Sequence, residues 1–366
     1  MSTLQVKITE ILGVIRHPNA DRLAIYRIFG WNIIAELNKF VMGDKVIYIP
    51  IDSILSQTTE AKIFPPDSKI TLSHRRVKAI KIRGIVSQGI IVDPHLFGME
   101  ALSLNKDVAD ELGITKYEPP EPVTHQGGLP RTSRKQSNPN FHRFTDIENF
   151  KWYPHLFAPG ETVFITEKIH GTNFRCGWVP TYANTWWKKI KQYIGILPKF
   201  EFIYGSHNVQ FQDTPRKKGW YGASLGKNVY AEAVEKYDLR NKLAFGEVIY
   251  AEIYGDGIQK NYLYGCKPGQ RKMVVIDWQH NGKYLDHSNT ITSCADRNLP
   301  IVPFDGSMPY DESILRLLVD SPSWLGDEVR EGIVIKPAIE TSTFIGRKIL
   351  KFKSDKFLLT QVDDTH

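Results

Sequence analysis

Within seven residues, Glu167-Lys168-Ile169-His170-Gly171-Thr172-Asn173 gathers an amine, a carboxylate, an imidazole and an amide behind an apolar run, Val163-Phe164-Ile165-Thr166. The run reads as a buried strand, so Lys168 falls at a sheet edge. Gly171 permits a tight turn or a close approach of backbone to ligand. An amine so placed can attack an electrophile once it is neutral, and because free lysine titrates near 10.4, some neighbour must depress it. Lys351 and Lys353 are candidates: they stand two apart on an apparent strand and project to one face, while Leu350 and Phe352 take the other. If that face borders Lys168, one unit charge at about 4 Å and an effective dielectric near 20 contributes at most about 4 kcal/mol, roughly three pKa units. A solvated strand-end lysine followed by a turn is the plainer alternative, and Lys-x-His-Gly alone does not exclude it.

What shifts the reading is order along the chain. Ala251-Glu252-Ile253-Tyr254-Gly255-Asp256-Gly257-Ile258-Gln259 comes next, then Glu331-Gly332-Ile333-Val334-Ile335-Lys336, then Leu350-Lys351-Phe352-Lys353-Ser354. Each of Glu252 and Glu331 borders an apolar stretch, and such carboxylates are hard-cation ligands or ordinary surface acids. Together the four stretches resemble the motifs of the covalent nucleotidyltransferases, the superfamily of ATP-dependent ligases and capping enzymes. His170, two residues beyond the lysine, is similar to the RNA ligase branch, since DNA ligases usually carry aspartate there.

The resemblance implies a site. Lys168 would attack the α-phosphorus of ATP, with Lys351 and Lys353 in catalytic and nucleotide-binding roles. His170 and Asn173 would serve the later steps. Glu252 would contact the ribose or a metal, and Glu331 would support the metal, Mg²⁺ or Mn²⁺. Lys336 would join the nucleotide contacts, and Glu167 would either read the adenine or cap its strand. The sequence departs from the family in two places: His207 stands where an arginine near the nucleotide is common, with Arg175 the other candidate for that role, and in Val274-Val275-Ile276-Asp277-Trp278 the inward residue is expected to be aliphatic where an aromatic often stacks on adenine.

The elements that must position these residues follow from composition and pattern. A chain of 366 residues fits two or three domains, and 42% hydrophobic with 24% charged residues predicts a globular protein. The formal net charge of +7 suits a polyanionic partner without establishing one. Cys176, Cys266 and Cys294 lie far apart and form no Cys-x-x-Cys pair, which argues against a zinc site or disulfide framework and for a reducing, intracellular and cytoplasmic setting. No segment reads as a signal peptide or membrane span.

Short strands are predicted over Leu4 to Val14, Leu23 to Phe29, Trp31 to Glu36, Lys45 to Ile51 and Val77 to Val92, which suggests a small barrel. His17-Pro18-Asn19-Ala20-Asp21-Arg22-Leu23 with Gly43-Asp44-Lys45-Val46 is similar to tRNA-binding OB folds. Arg75, Arg76, Lys78, Lys81 and Arg83 supply cations near one strand, either for phosphate contact or as a solvated barrel face. Pro119-Pro120-Glu121-Pro122, Gly127-Gly128 and Arg131-Thr132-Ser133-Arg134-Lys135-Gln136-Ser137 read as a linker. Beyond it, Tyr230, Ala233, Val234 and Tyr237 mark one amphipathic helix; Trp186, Ile190, Tyr193 and Ile194 mark another, with Lys188, Lys189 and Lys191 opposite. Both stripes are expected to be core contacts, and membrane binding is not expected.

The expected fold class is α+β: an N-terminal OB-type β-barrel over 1–116, a linker over 117–150, and an α+β nucleotidyltransferase domain with antiparallel sheets over 151–366. The resemblance implies a monomeric, ATP-dependent RNA ligase of the Deinococcus-type branch that seals a nick in RNA or an RNA-containing duplex. A non-catalytic OB-fold RNA-binding protein and a GTP-dependent capping enzyme are the alternatives; His170 argues against the second.

Overall fold

The computed structural model describes residues 3–68, 70–117, 138–212, 228–260, 262–361 and 364–365. The Pro-, Gly- and basic-rich stretch from Pro119 to Ser137 lies outside them. The chain divides into two compact units, each discontinuous: 1–121 with 147–154 and 352–366, and 122–146 with 155–351.

In the first unit, antiparallel sheets are built from Lys7–Glu10, Lys45–Ile49 and Ile90–Val92, and from Gly13–Arg16, Leu23–Ile28 and Trp31–Glu36. Lys45–Ile49 is buried on both faces because its period-two alternation feeds two cores: Ile47 and Ile49 pack with Val6, Ile8 and Val92, whereas Val46 and Tyr48 pack with Tyr26, Ile28 and Trp31. The single strand expected over Val77 to Val92 is three, Ile80–Ile82, Ile85–Ser87 and Ile90–Val92. Glycines break it: Arg83 and Gly84 turn the chain at positive φ, and at Gly89 (φ 119°) a Cβ would stand 2.6 Å from the Ile49 carbonyl oxygen. Of the five cations near these strands, Arg76 is committed to Asp52, 2.6 Å away, and to the Tyr117 ring, while Arg75, Lys78 and Arg83 are exposed.

Residues 147–154 return to this unit. The Trp152 ring lies 4.7 Å from those of Phe29 and Trp31 and 5.8 Å from that of Tyr48. Beside it the buried Lys151 ammonium donates to Gln88 Oε1 (3.2 Å) and Asp355 Oδ1 (3.3 Å). Trp152→Ala is expected to cost about 2–4 kcal/mol of stability, toward the lower part of the large-to-small range because the ring is half-buried. Thermal unfolding measures it; an unchanged midpoint would show that the rings around Trp152 contribute nothing to this core.

The second unit carries the candidate site on two antiparallel sheets. In one, Thr162–Lys168 pairs with Gly332–Pro337 on one side and Phe304–Pro309 on the other. Leu350–Lys353, whose first two residues end this unit, lies beyond Gly332–Pro337. The other sheet runs in the order Gln210–Gln212, Phe200–Gly205, Thr172–Pro180, Glu247–Gly255, Arg271–His280, Lys283–Tyr284. Its Phe174, Cys176, Ile249, Ala251 and Ile253 pack into one apolar core with Tyr230, Ala233 and Val234 of the helix Val229–Lys236, as the spacing predicts. That core forces the alternate residues, Asn173, Arg175, Tyr250 and Glu252, onto the opposite face.

The second predicted helix forms, as Trp186–Tyr193, but its apolar stripe is not a core contact: no residue of the helix is buried. Periodicity fixes which residues share a face and leaves open what covers that face. The three cysteines are buried and unbridged. Among the described residues, no helix is long and apolar enough to cross a membrane.

Candidate active site

Lys168 ends its strand with Gly332 opposite it, which brings the next residue back along the chain, Glu331, within reach. The Lys168 ammonium lies 2.8 Å from Glu331 Oε2, and His170 Nδ1 lies 3.6 Å from the same oxygen. Across the turn at Gly171 the chain enters Thr172–Pro180, where Asn173 stands opposite Glu252. The Gly171 N–H donates to the Glu252 carboxylate. Lys168, His170, Asn173, Glu252 and Glu331 thus come together from three separated stretches.

Electrostatics in this cluster reverse the expected setting of the lysine. Burial alone would depress the Lys168 ammonium, but Glu331 and then Glu252 outweigh it and hold the group above the ordinary lysine value. Glu252 moves the other way: burial, reinforced by the Glu331 charge, pushes its carboxyl up to about 8 against the opposing pull of Lys168 and the Gly171 N–H. Near neutrality the cluster therefore favours a protonated Lys168 amine beside a Glu252 carboxyl that readily carries a proton.

Further residues fix this geometry, and of them the motif stretches name only Gln259. The Tyr264 hydroxyl accepts the His170 N–H (2.8 Å), and Gln259 Nε2 donates to the Gly171 carbonyl (2.8 Å). The Tyr262 ring meets the imidazole edge-on at 5.2 Å. Backbone N–H groups of Leu263 and Tyr264 both donate to Glu328 Oε1, tying this loop to the stretch before Glu331. Nothing in local sequence marks these tyrosines; only the turn after Gly255, which carries them back, makes them neighbours of His170.

At Gly171 itself, a Cβ would stand 2.3 Å from the Ile253 carbonyl oxygen and 2.8 Å from Glu252 Cγ. Gly171→Ala must part the two strands, and a destabilisation of about 1–3 kcal/mol is expected from overpacking. Thermal unfolding of this variant checks it, and a wild-type midpoint would mean that the turn relaxes freely.

The other predicted residues are placed as follows. Glu167 alternates away from Lys168; its carboxylate accepts from Ser323 Oγ (2.6 Å) and the Trp324 N–H (2.9 Å). Arg330 in turn clamps the Pro322 carbonyl with two donors and lies under the Trp324 ring. Lys336 stands opposite Phe164, so it shares a face with Lys168 four residues along, roughly 13 Å. Its ammonium bonds the Ile276 carbonyl and lies 3.4 Å from Asp277, which also holds Arg347 at 2.9 Å. Burial, then Arg347, depresses Lys336 against the pull of Asp277. Lys351 and Lys353 are half-buried on one face of their strand, with Leu350 and Phe352 buried on the other, as the alternation predicts.

Arg175 is buried and donates to the Ser206 and Phe141 carbonyls, 2.9 and 2.7 Å away. His207 follows Ser206 directly, half-buried, and burial lowers its pKa. On Arg271–His280, Val274 stands opposite Glu252, and Trp278 belongs to the apolar core.

The donor set fits a divalent cation. Glu252 and Glu331 supply carboxylate oxygens, and Asn173 Oδ1 is a buried acceptor without a hydrogen-bond partner. Among the described residues no group of three or more His, Cys, Asp or Glu assembles to hold a metal. Two carboxylates and an amide suit an ion that keeps waters or borrows substrate oxygens, as Mg²⁺ does.

Comparison with known proteins bears on the family and the fold. A family model described as RNA ligase matches residues 161–353, and one described as an OB-fold domain matches residues 5–94. Naegleria gruberi RNA ligase with PPi superposes with a TM-score of 0.72 at 20% identity, covering 98% of each chain. Variants of that ligase with ATP and Mn, and with AMP and Mn, both superpose with a TM-score of 0.74 at 20% and 19% identity, covering 98% of this chain and 99% of that chain. At such identities the likeness is one of fold: an N-terminal OB-fold domain with an α+β domain of antiparallel sheets. No curated protein matches the chain.

Proposed function

This chain belongs to the RNA ligase family, and from that premise we propose that it joins 5′-phosphate and 3′-hydroxyl RNA ends, at nicks, in an ATP-dependent reaction through AMP carried on Lys168. The observation that carries the reading is the Lys168–Glu331 pair at 2.8 Å with Glu252 and the unpartnered Asn173 Oδ1 beside it. An amine, two carboxylates and an amide oxygen at one strand end are the groups that nucleotidyl transfer needs: a nucleophile and ligands for a cation on the phosphates. The solved Naegleria ligase complexes with ATP or AMP and Mn support ATP and a divalent ion as ligands here as well.

In the first step Lys168 Nζ, having lost a proton, forms a bond to the α-phosphorus while the bond to pyrophosphate breaks. The 5′-phosphate of RNA then takes the AMP as the P–N bond breaks, and a 3′-hydroxyl finally displaces AMP to leave a phosphodiester. A divalent cation would be held by Glu252, Glu331 and Asn173 and would supply neutralisation of the phosphate oxygens. Glu331, shared in this way, would stabilise the lysine ammonium less. Lys336, on the same face as Lys168, would meet the far end of a triphosphate, and Lys351 would add cationic charge from the same sheet. Glu167 positions rather than reacts: both its oxygens are taken by Ser323 and Trp324, so it holds that segment and orients the strand end.

We assign RNA binding to 1–116 and nucleotidyl transfer to 151–366, joined by 117–150. The transferase segment begins and ends within the first compact unit, so a fragment starting near Lys151 would strip Lys151 of Gln88 and Trp152 of Phe29, Trp31 and Tyr48, leaving Lys151 only its contact with Asp355 among these partners.

Incubation with α-labelled ATP and Mg²⁺, then denaturing electrophoresis, tests the reading: the chain should carry label. With a panel of four nicked duplexes, a ribonucleotide at the 3′-hydroxyl side should be required, because that side aligns the attacking group and the 2′-hydroxyl distinguishes RNA there. Absence of label would return the chain to a non-catalytic RNA binder, label from GTP alone to a capping enzyme, and equal sealing of an all-DNA nick to a general polynucleotide ligase.

A further inference from the structure

The helix Trp186–Tyr193, inserted between the strands Thr172–Pro180 and Phe200–Gly205, exposes a face that a folded protein would ordinarily cover. Trp186 is 60% exposed, Trp187 59% and Tyr193 92%, with Ile190 and Ile194 exposed beside them. The helix is well formed: Thr185 caps it by accepting the Lys188 N–H at 3.3 Å, Ile194 N–H closes on the Ile190 carbonyl at 2.9 Å, and Gly195 (φ 77°) ends it. At 100° per residue Trp186, Ile190, Tyr193 and Ile194 form one stripe with Trp187 on its margin, and Lys189 and Lys191 fall on either side of it. From Thr181 to Lys199 the chain carries Lys188, Lys189, Lys191 and Lys199 and no acidic residue.

We propose that this helix is a docking face for single-stranded RNA, in which Trp186, Trp187 and Tyr193 stack on bases while Lys189 and Lys191 meet the flanking phosphates. The proposal rests on the family reading, which makes RNA the polyanion this chain handles. Charge complementarity selects a polyanion, and the make-up of the stripe selects RNA over a lipid surface. Three of its five members are planar rings, the side chains on which unpaired bases stack irrespective of sequence. Eight residues span only about 12 Å, or two turns, which matches a few nucleotides better than it anchors a protein in a bilayer. Single-stranded RNA beside a break would be held by this face without passing through the chemistry at Lys168.

The test uses the full chain with two variants, one carrying Trp186→Ala, Trp187→Ala and Tyr193→Ala, the other Lys189→Ser and Lys191→Ser. The probes are a fluorescent single-stranded RNA, the same backbone with abasic sites, and vesicles rich in phosphatidylserine. Because the replaced side chains are exposed, both variants should keep the wild-type unfolding midpoint and wild-type covalent labelling by ATP. The aromatic variant should bind the intact RNA at least about tenfold more weakly, since stacking contributes about 1–3 kcal/mol per base. It should also lose the wild-type preference for intact over abasic RNA. The lysine variant should lower the slope of log affinity against log salt by roughly 1.4, two phosphates at about 0.7 each. Unchanged RNA affinity in the aromatic variant overturns the proposal, and if vesicle binding falls instead, the face belongs to a membrane. Failure of the wild type to label with ATP would defeat the ligation mechanism while leaving the RNA comparison readable.

Discussion

Lys168→Ala is expected to carry no label from α-labelled ATP, a loss to background, with an unfolding midpoint close to that of the wild type. Lys168 is the strand-end amine that two carboxylates address, with Glu331 at 2.8 Å, and its side chain is 25% exposed, so an electrophile can reach it. Lys168→Arg should fail as completely, because a guanidinium stays protonated above pH 12 and cannot offer a lone pair. The stability cost separates a catalytic loss from a folding one. Removing the ammonium takes one partner from Glu331, but His170 Nδ1 remains 3.6 Å from Oε2 and the carboxylate can take up a proton or a cation, so the penalty should be modest. Ligation of a nick whose 5′-phosphate already carries AMP should survive in Lys168→Ala, since that step no longer needs the amine. Label on the variant, or on a lysine other than Lys168, would remove Lys168 from the mechanism.

How far the site was legible depends on the distance in sequence over which each contact is made. Lys168, His170 and Asn173 could be read because a strand end and a turn keep them within one short stretch, and Glu252 and Glu331 because each borders an apolar strand of recognisable pattern. Their pairing could not: that Gly332 stands opposite Lys168 is a matter of sheet register across 163 intervening residues. With the register unknown, the sign of the field at Lys168 was unknown too, and the expectation that cations dominate it gave way to two carboxylates. Glu167 was left between two roles because Ser323 and Trp324, which take its oxygens, carry no motif. Barrel strands such as Leu23–Ile28 and Trp31–Glu36 were visible through local pattern. Their break-up between Val77 and Val92 was not, since Gly84 and Gly89 act through positive φ and close backbone approach, which composition only hints at. The exposed stripe on Trp186–Tyr193 makes the same point from the other side, for its period was correct and its burial was not.

Glu331→Gln should move two properties of Lys168 in opposite directions. In the free protein the carboxylate stabilises the ammonium; an uncharged amide of nearly the same shape removes that stabilisation while burial continues to oppose the charge. The folded-state pKa of Lys168 must then fall. At a fixed pH below that pKa, each unit of decrease raises the neutral fraction about tenfold. With no nucleotide present, Lys168 in the variant should therefore react faster with an amine-directed reagent such as an aryl isothiocyanate. Its rate should rise through a midpoint at lower pH than in the wild type, as peptide mapping of the modified lysine against pH would record. Covalent labelling by ATP should fall at the same time, by about 10²-fold or more, because the amide is a poor substitute for a carboxylate beside a divalent cation and the phosphate oxygens lose part of their neutralisation. Raising the Mg²⁺ concentration should recover some of that loss without altering the isothiocyanate profile. A role for Glu331 confined to holding the fold predicts that both reactivities decline together with the unfolding midpoint. A role confined to restraining the lysine predicts that both rise. Only a carboxylate shared between the resting ammonium and the cation of the ATP-bound state gives one increase and one decrease, and a shift of the isothiocyanate profile to higher pH would reverse the sign on which this account of the site depends.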